Sequence, residues 1–163
     1  MEIWPVEGPW PGRLAVCSRP RSAWFLVDDL HSLRAAGYGL LVSALTPEEV
    51  IAGELQRVPG VCQELGIEFH HFPVGNLQVP AADLAAPKIE EWHSRLGLGD
   101  GIAVHCWATV GRGPTLAAAL LMRGGVSPDE AWLRIASARG REVPDTLEQR
   151  RWAQGFALLQ EGT

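Results

Sequence analysis

The sequence predicts an α/β fold with a central, mostly parallel sheet of roughly four to five strands, flanked by helices. Short apolar runs alternate with segments in which apolar residues recur at helical spacing, and glycine or a capping residue separates them. The 163 residues are 47% hydrophobic, which is enough to bury the core of one domain spanning residues 1–163. Such sheets bind ligands beyond the carboxyl ends of their strands, so functional residues are expected there.

The first predicted elements are a strand, a helix and a second strand. Residues 13–18 form a short apolar run bounded by prolines, which predicts a strand. Residues 22–36 carry apolar side chains at helical spacing, and Gly37 ends this helix. Residues 38–45 are almost all apolar, a pattern typical of a strand that is covered on both faces.

A capping box marks the next helix. Thr46 is followed by a proline and, three residues after the threonine, by Glu49, so a helix should begin there. The pair Pro59-Gly60 predicts an interruption, after which the helix resumes over residues 61–65. Residues 67–74 then predict a strand.

The second half of the chain continues the alternation. A helix is predicted over roughly residues 82–96, and Pro87 predicts either a kink in it or a later start of the helix. A strand over residues 102–106 and a helix over residues 115–123 follow. Two further capping boxes predict the last helices, over residues 127–139 and from Thr146 to about Gln160.

The composition argues against several classes of function. The formal net charge is −5, whereas a protein whose main partner is nucleic acid presents basic faces to phosphate. No apolar run approaches the ~18 residues of a membrane span, and the first residues lack the features of a signal peptide. Three irregularly spaced cysteines do not form a disulfide framework. We therefore expect a cytoplasmic protein without nucleic-acid or membrane partners, and we favour a monomer.

The segment with the most chemical information follows the predicted strand over residues 102–106. Cys106 stands at the carboxyl end of this strand, and Arg112 stands near the start of the next helix. A short loop that curls into a helix N-terminus directs backbone N–H groups inward and forms a nest for an anion. A guanidinium adds a planar fork for two phosphate oxygens. These groups would stabilise a Cys106 thiolate that is placed for in-line attack on phosphorus.

Each residue of this segment also fits a structural role, with Cys106 as a buried thiol and Arg112 as a surface charge. Their placement between a strand and a helix favours the phosphate site. His105-Cys106, with Arg112 six residues after the cysteine, resembles the signature of the protein tyrosine phosphatase superfamily. The resemblance is greatest to its small bacterial and archaeal dual-specificity-like members. Three further segments resemble the family's strand-to-helix turn, general-acid loop and late glutamine segment, at residues 41–49, 72–80 and 138–149.

The resemblance implies a phosphotyrosine-phosphatase-like fold and hydrolysis of phosphomonoesters through a phosphocysteine, without a cofactor or a metal. Cys106 would be the nucleophile, and Arg112 would bind phosphate and stabilise the transition state. His105 would help hold the thiolate at low pKa, or would be a hydrogen-bonded strand-end histidine. Gln149 would position the hydrolytic water, or would only cap a helix. The phosphate-binding loop would consist of Trp107, Ala108, Thr109, Val110, Gly111 and Arg112.

Three residues depart from the family pattern. Asn76 stands where the family has an aspartate that protonates the leaving oxygen. An amide has no proton that titrates near neutral pH, so it cannot act as this acid. Loss of a general acid typically costs about 10²–10⁴ in rate. Gly113 replaces the usual serine or threonine after the arginine, with Thr115 as a displaced substitute. Thr109 replaces a loop glycine although β-branched residues resist positive φ, which predicts a reshaped loop or a looser fit to phosphate.

Other residues have two interpretations each. Asp83 is a candidate surrogate acid, or an ordinary acidic residue in the first turn of a helix. His70 and His71 point to opposite faces of a strand, and no third ligand stands at a metal-binding spacing, so no metal site is expected. Trp107 either lines the mouth of the pocket and stacks on an aromatic ester, or packs beneath the loop.

Two functions follow from these observations. The first is a cysteine-dependent phosphatase, slowed by Asn76, that acts on a phosphorylated protein or a small phosphoester. The alternative is a weak or inactive pseudophosphatase that binds phosphate or a phosphoprotein. A sulfur-transfer enzyme of the rhodanese type also uses a loop cysteine, but Arg112 and the segment around Gln149 argue against it. Turnover, as opposed to stoichiometric anion binding, distinguishes the first two.

Overall fold

The structure, a computed structural model, describes residues 1–158. Within this range it confirms the predicted fold class, because one sheet of five strands lies between two groups of helices. The strands are β1 (Ile3–Val6), β2 (Arg13–Cys17), β3 (Leu40–Ser43), β4 (Glu68–His71) and β5 (Gly101–His105). Their spatial order is β1-β2-β5-β3-β4, and all neighbours except β1 and β2 are parallel.

The edge strand β1 is the one strand that the sequence pattern does not predict. It pairs antiparallel with β2, with Ile3 opposite Cys17 and Val6 opposite Leu14. Pro5 interrupts the alternation of this short segment. Proline has no N–H to donate and is tolerated in a sheet mainly at an edge, which is where β1 lies.

Helices cover both faces of the sheet, as the apolar pattern of β3 predicts. The helices in the described residues are α1 (Leu26–Ala35), α2 (Pro47–Ala52), α3 (Val58–Glu64), α4 (Ala82–Gly97), α5 (Arg112–Arg123), α6 (Pro128–Arg139) and α7 (Leu147–Leu158). A short 3₁₀ turn (Ala23–Phe25) precedes α1. Leu40 and Val42 belong to the core beneath α4–α7, whereas Leu41 belongs to the core beneath α1 and α3.

The structure differs from the predicted helices at several points. The break between α2 and α3 lies at residues 53–57, because Pro59 occupies the first turn of α3, where a missing N–H costs nothing. Helix α5 begins at Arg112 and not at residue 115, since the loop itself supplies its first turn. Pro87 lies inside α4, which continues through it. The predicted end of the last helix at Gln160 lies outside the described residues.

None of the helices in residues 1–158 is both long enough and apolar enough to cross a membrane.

Candidate active site

The predicted phosphate loop lies at the centre of the sheet's carboxyl edge. Strand β5 ends at His105 and helix α5 begins at Arg112, so residues 106–111 form the connection. Strands β2 and β3 flank β5, so their carboxyl ends lie on either side of Cys106. The Cys106 side chain is buried. This is the position at which parallel sheets bind ligands.

Two arginines hold the carbonyl groups of this loop. Arg19 Nη1 donates to the Trp107 carbonyl at 2.8 Å. Arg139 donates to the carbonyls of Ala108 and Thr109, at 3.1 and 3.0 Å. The backbone N–H groups of residues 107–111 donate to no other described residue. The arginines engage three loop carbonyls, and the loop N–H groups remain free to donate. The loop therefore has the properties of an anion nest.

Arg112 is held in place by a carboxylate that sequence reasoning did not single out. Its two terminal nitrogens donate to the two Glu49 carboxylate oxygens at 2.7 and 2.8 Å, and Nη1 also donates to the Val74 carbonyl at 2.8 Å. Burial alone would lower the pKa of Arg112, but hydrogen bonds with Glu49 and Cys106 raise it. Hydrogen bonding to Arg112 lowers the pKa of Glu49.

Glu49 therefore has two tasks. Its side chain accepts from the Thr46 amide at 2.9 Å and completes the capping box at the start of α2. The sequence predicts the capping box. It does not predict the pairing with Arg112, because the two residues stand 63 positions apart. Because the helix cap fixes the carboxylate, it also fixes the plane of the guanidinium at the loop.

His105 acts on Cys106 through the backbone. Its Nδ1 lies 3.2 Å from the Cys106 carbonyl oxygen. Burial lowers the pKa of His105 to about 4, so the ring is neutral near neutral pH and Nδ1–H donates to that carbonyl. The contact orients the Cys106 backbone and places no positive charge beside the sulfur.

Thr109 adopts the positive φ that a glycine would supply at this position. Its φ is +53°, and hydrogen bonds offset the strain of this conformation. The Thr109 hydroxyl donates to the Cys17 carbonyl at 2.7 Å and accepts from the Cys106 amide at 3.4 Å. The β-branched residue thus forms part of the loop's support, and the backbone retains the left-handed turn.

Gly113 lies close to Thr109 and to Cys106. A Cβ atom added at Gly113 would lie 3.3 Å from the Thr109 methyl group and 3.6 Å from the Cys106 amide nitrogen. The Cβ of a serine at 113 would therefore press against the Thr109 methyl group. Thr115 does not replace it, because its hydroxyl donates to the Gly111 carbonyl at 2.8 Å. The displaced substitute considered from the sequence is therefore not available to Cys106.

Gln149 forms the helix cap that was one of the two interpretations of the sequence, and its role toward a water molecule stays a prediction. Its Oε1 accepts from the Thr146 backbone N–H at 3.2 Å, and its own backbone N–H donates to the Thr146 hydroxyl at 3.1 Å, which is a helix cap. Its Nε2 donates to the Gln78 carbonyl at 3.2 Å, and this joins the cap to the predicted general-acid loop. The same side-chain amide lies beside Gly111, within 3.0 Å of the place where a Cβ would stand.

Asp145 also approaches the loop at Gly111. Its Oδ2 lies 2.3 Å from the position that a Gly111 Cβ would occupy, so no other residue fits at 111 without displacing this carboxylate. Sequence reasoning missed Asp145, and the only available signal was its place just before the Gln149 segment. Asp83, the predicted surrogate acid, lies exposed in the first turn of α4 and forms no hydrogen bond or ion pair with another described residue.

Asn76 and Trp107 border one cleft. Asn76 is exposed in the turn after β4, and it lines a cleft of about 380 Å³ together with Trp107, Glu48, Glu49 and Ala52. Arg19 stacks over the half-buried Trp107 ring, with Cζ 3.9 Å from the ring centroid. The ring thus both packs against the protein and borders the cleft, so neither interpretation of Trp107 excludes the other.

A group of potential metal ligands lies away from the loop, at the β4 edge. Oxygen or nitrogen atoms of Glu68, His70 and Glu91 lie within 4.8 Å of one another, so the fold supplies the third ligand that the sequence spacing did not show. Trp92 Nε1 donates to His70 Nδ1, which leaves the proton on His70 Nε2, 2.7 Å from Glu68. Arg95 pairs with Glu68 as well. These contacts already satisfy His70 and Glu68, and the absence of a metal remains a prediction.

No protein-family sequence model matches the chain, and no curated protein sequence matches it. Solved structures do match. Kinase-associated phosphatase with its catalytic-site cysteine replaced by serine is 19% identical, with 100% of this chain and 97% of that chain covered and a TM-score of 0.85. The active form of Tk-PTP is 23% identical, with 90% and 92% covered and a TM-score of 0.73. Human DUSP28 carrying one substitution is 20% identical, with 98% of both chains covered and a TM-score of 0.70.

The sheet order, the loop after β5 and these likenesses define the class: the chain has the fold of the protein tyrosine phosphatase superfamily. Within that class it has the dual-specificity type of fold.

Proposed function

We propose that this protein is a cysteine-dependent phosphatase that hydrolyses phosphomonoesters on a phosphorylated protein or a small molecule. The observation that carries the proposal is the junction of β5 and α5, where Cys106 lies among unengaged loop amides and beside Arg112. This arrangement suits a dianionic phosphoryl group, which needs several directed donors and a nucleophile below phosphorus. The phosphatase fold of the structural neighbours supports the same class of activity.

The proposed reaction has two steps. The Cys106 thiolate attacks phosphorus, a P–S bond forms, the P–O bond to the leaving group breaks, and the leaving oxygen takes up a proton. Water then attacks the phosphocysteine, the P–S bond breaks, and inorganic phosphate and the thiolate are released. Arg112 and the loop amides stabilise the equatorial oxygens in both steps. No step requires a metal, and we place the reaction in the cytoplasm.

The proton for the first step cannot come from Asn76. We assign this task to Asp145, whose carboxylate lies beside Gly111 in the phosphate loop, next to the Gln149 amide. A carboxyl group in this place is able to protonate the leaving oxygen and then to accept a proton from water that Gln149 holds. The assignment replaces Asp83, which forms no hydrogen bond or ion pair with the loop within residues 1–158.

Asp145→Asn is expected to lower kcat/KM for alkyl phosphates by about 10², the usual effect of losing a general acid. The loss should be smaller for para-nitrophenyl phosphate, because a nitrophenolate leaves with little need of a proton. Steady-state kinetics on both substrates measure this difference. Asp83→Asn is the control and should retain the wild-type rate. A loss of rate in Asp83→Asn and none in Asp145→Asn would reverse the assignment.

Asn76→Asp is expected to raise the turnover of alkyl phosphates severalfold or more. The change places a carboxyl group on the cleft that Trp107 and Glu49 border, where the leaving group is expected. Leu77→Asp, which adds the same charge to the neighbouring exposed residue, should leave the rate unchanged. An unchanged rate in Asn76→Asp would show that this loop does not bring residue 76 to the leaving oxygen.

A second candidate function is a pseudophosphatase that binds phosphate groups without turnover. Two observations favour it: the exposed residue at the general-acid position is an amide, and no hydroxyl at position 113 faces Cys106. Two measurements on the wild type distinguish a phosphatase from a pseudophosphatase. They are hydrolysis of para-nitrophenyl phosphate and saturable binding of inorganic phosphate. Binding with no turnover would establish the pseudophosphatase.

A further inference from the structure

A surface groove of about 480 Å³ runs along helix α6. The α6 residues that line it recur at helical spacing and therefore share one face of the helix. They are Asp129, Trp132, Leu133 and Ala136. The opposite wall is formed by residues 142–147, which lead into α7, and by Arg150.

One end of this groove meets the phosphate loop. Arg139, the last residue of α6, donates to two carbonyl groups of that loop. Asp145, on the opposite wall, lies beside Gly111 of the same loop. A chain bound in the groove would therefore continue from a phosphorylated residue held at Cys106.

The groove carries an excess of negative charge. The carboxylates of Asp129, Glu142 and Asp145 are exposed, and none forms a hydrogen bond or an ion pair with another described residue. Arg150 is the only basic side chain among the described residues that line the groove, and its Nη2 donates to the Val143 carbonyl at 3.3 Å. The unpaired carboxylates favour a partner with basic side chains.

Apolar side chains stand among these charges. Leu133 is 60% exposed and Leu147 is 69% exposed, and they belong to opposite walls of the groove. Buried Trp132 and Val143 also line it. An exposed apolar patch with a charged rim is typical of a surface that binds another protein, and covering the two leucines would favour binding.

We propose that this groove binds the segment of a phosphorylated protein substrate that adjoins its phosphorylated residue, and that this segment carries apolar and basic side chains. The inference rests on the proposed function, because it places the phosphorylated residue at Cys106. From Arg139 back to Asp129 the helix rises about 15 Å, the length of roughly four or five residues of extended chain. A small phosphoester does not span this distance, and an anionic membrane would be repelled by the carboxylates.

The test measures peptide binding to the full chain carrying Cys106→Ser, which leaves the phosphate on the peptide. Phosphotyrosine peptides with leucine and arginine on both sides of the phosphotyrosine are compared, by fluorescence anisotropy, with peptides in which glutamate replaces each arginine. The arginine peptide should bind about tenfold tighter, since an exposed ion pair contributes up to about fivefold in affinity and like charges repel. The difference should shrink at high salt. Equal affinities of the two peptides would refute the proposal.

Variants on the groove locate the binding. Asp129→Lys combined with Glu142→Lys should abolish the preference for the arginine peptide. Asp28→Lys combined with Glu64→Lys reverses two exposed carboxylates outside the groove and should leave the preference unchanged. Leu133→Ser should weaken binding of both peptides severalfold, because it removes apolar contact from the groove. A preference that persists in the groove variant would place the peptide elsewhere and overturn the proposal.

Unphosphorylated peptides separate this test from the proposed function. If phosphorylation does not change the affinity, the loop does not hold phosphate and the proposed function fails, whereas the preference for arginine over glutamate still decides the inference. A groove occupied by a second copy of this chain would give a dimer in sedimentation analysis that the Asp129→Lys, Glu142→Lys variant dissociates. That result would also overturn the proposal.

Discussion

Cys106→Ser is expected to reduce hydrolysis of para-nitrophenyl phosphate by a factor on the order of 10⁴ or more, to the background rate. A serine hydroxyl in the same place is not ionised near neutral pH, and no base in the described contacts of Cys106 would take its proton. The fold and the phosphate nest should survive, since the two side chains are nearly the same size and Arg112 keeps its contacts with Glu49. Inorganic phosphate should therefore still bind.

Cys62→Ala is the matched control for removing a cysteine. Cys62 is buried in α3, and burial raises its pKa to about 12, so it is not a nucleophile near neutral pH. This variant should keep the wild-type rate per folded molecule, with and without a chelator. Residual turnover in Cys106→Ser, or loss of turnover on chelation, would contradict the phosphocysteine mechanism.

Arg112→Ala is expected to lower kcat/KM by about 10³ or more, the usual loss when a cation that stabilises a transferring phosphoryl group is removed. It should also weaken phosphate binding, because the planar fork at the loop is gone. The variant leaves Glu49 and the Val74 carbonyl without their donor. The Glu49 carboxylate is partly exposed, so leaving it without its partner should cost about 1–3 kcal/mol of folding stability, and chemical denaturation should accompany the kinetics.

Glu49→Gln separates the positioning of Arg112 from its charge. Glutamine at this place in the capping box still accepts from the Thr46 amide, so α2 should keep its start. The guanidinium loses its bidentate carboxylate partner, and we expect a smaller fall in kcat/KM than in Arg112→Ala. An equal fall in both variants would mean that the arginine acts only through its pairing with Glu49. A wild-type rate in Arg112→Ala would remove it from the mechanism.

The sequence alone predicted the features of the structure that depend on residues close together along the chain. The apolar run of β3, the capping boxes at Thr46 and Ser127, and the interval from Cys106 to Arg112 each predict an element or a loop that the structure contains. Periodicity, capping and loop length are local properties. They determined the α/β class, the order of elements and the place of the candidate site.

The tertiary structure decided which distant residues complete that site. Glu49 reaches Arg112 across 63 positions, and Thr109 reaches the Cys17 carbonyl across 92. Asp145 approaches Gly111 only because α7 packs on α5. The edge strand β1 likewise forms because β2 offers an open ladder to a segment with little strand character of its own. Such contacts depend on how helices and strands pack in three dimensions. The pattern of residue types along the chain does not show which distant positions come together.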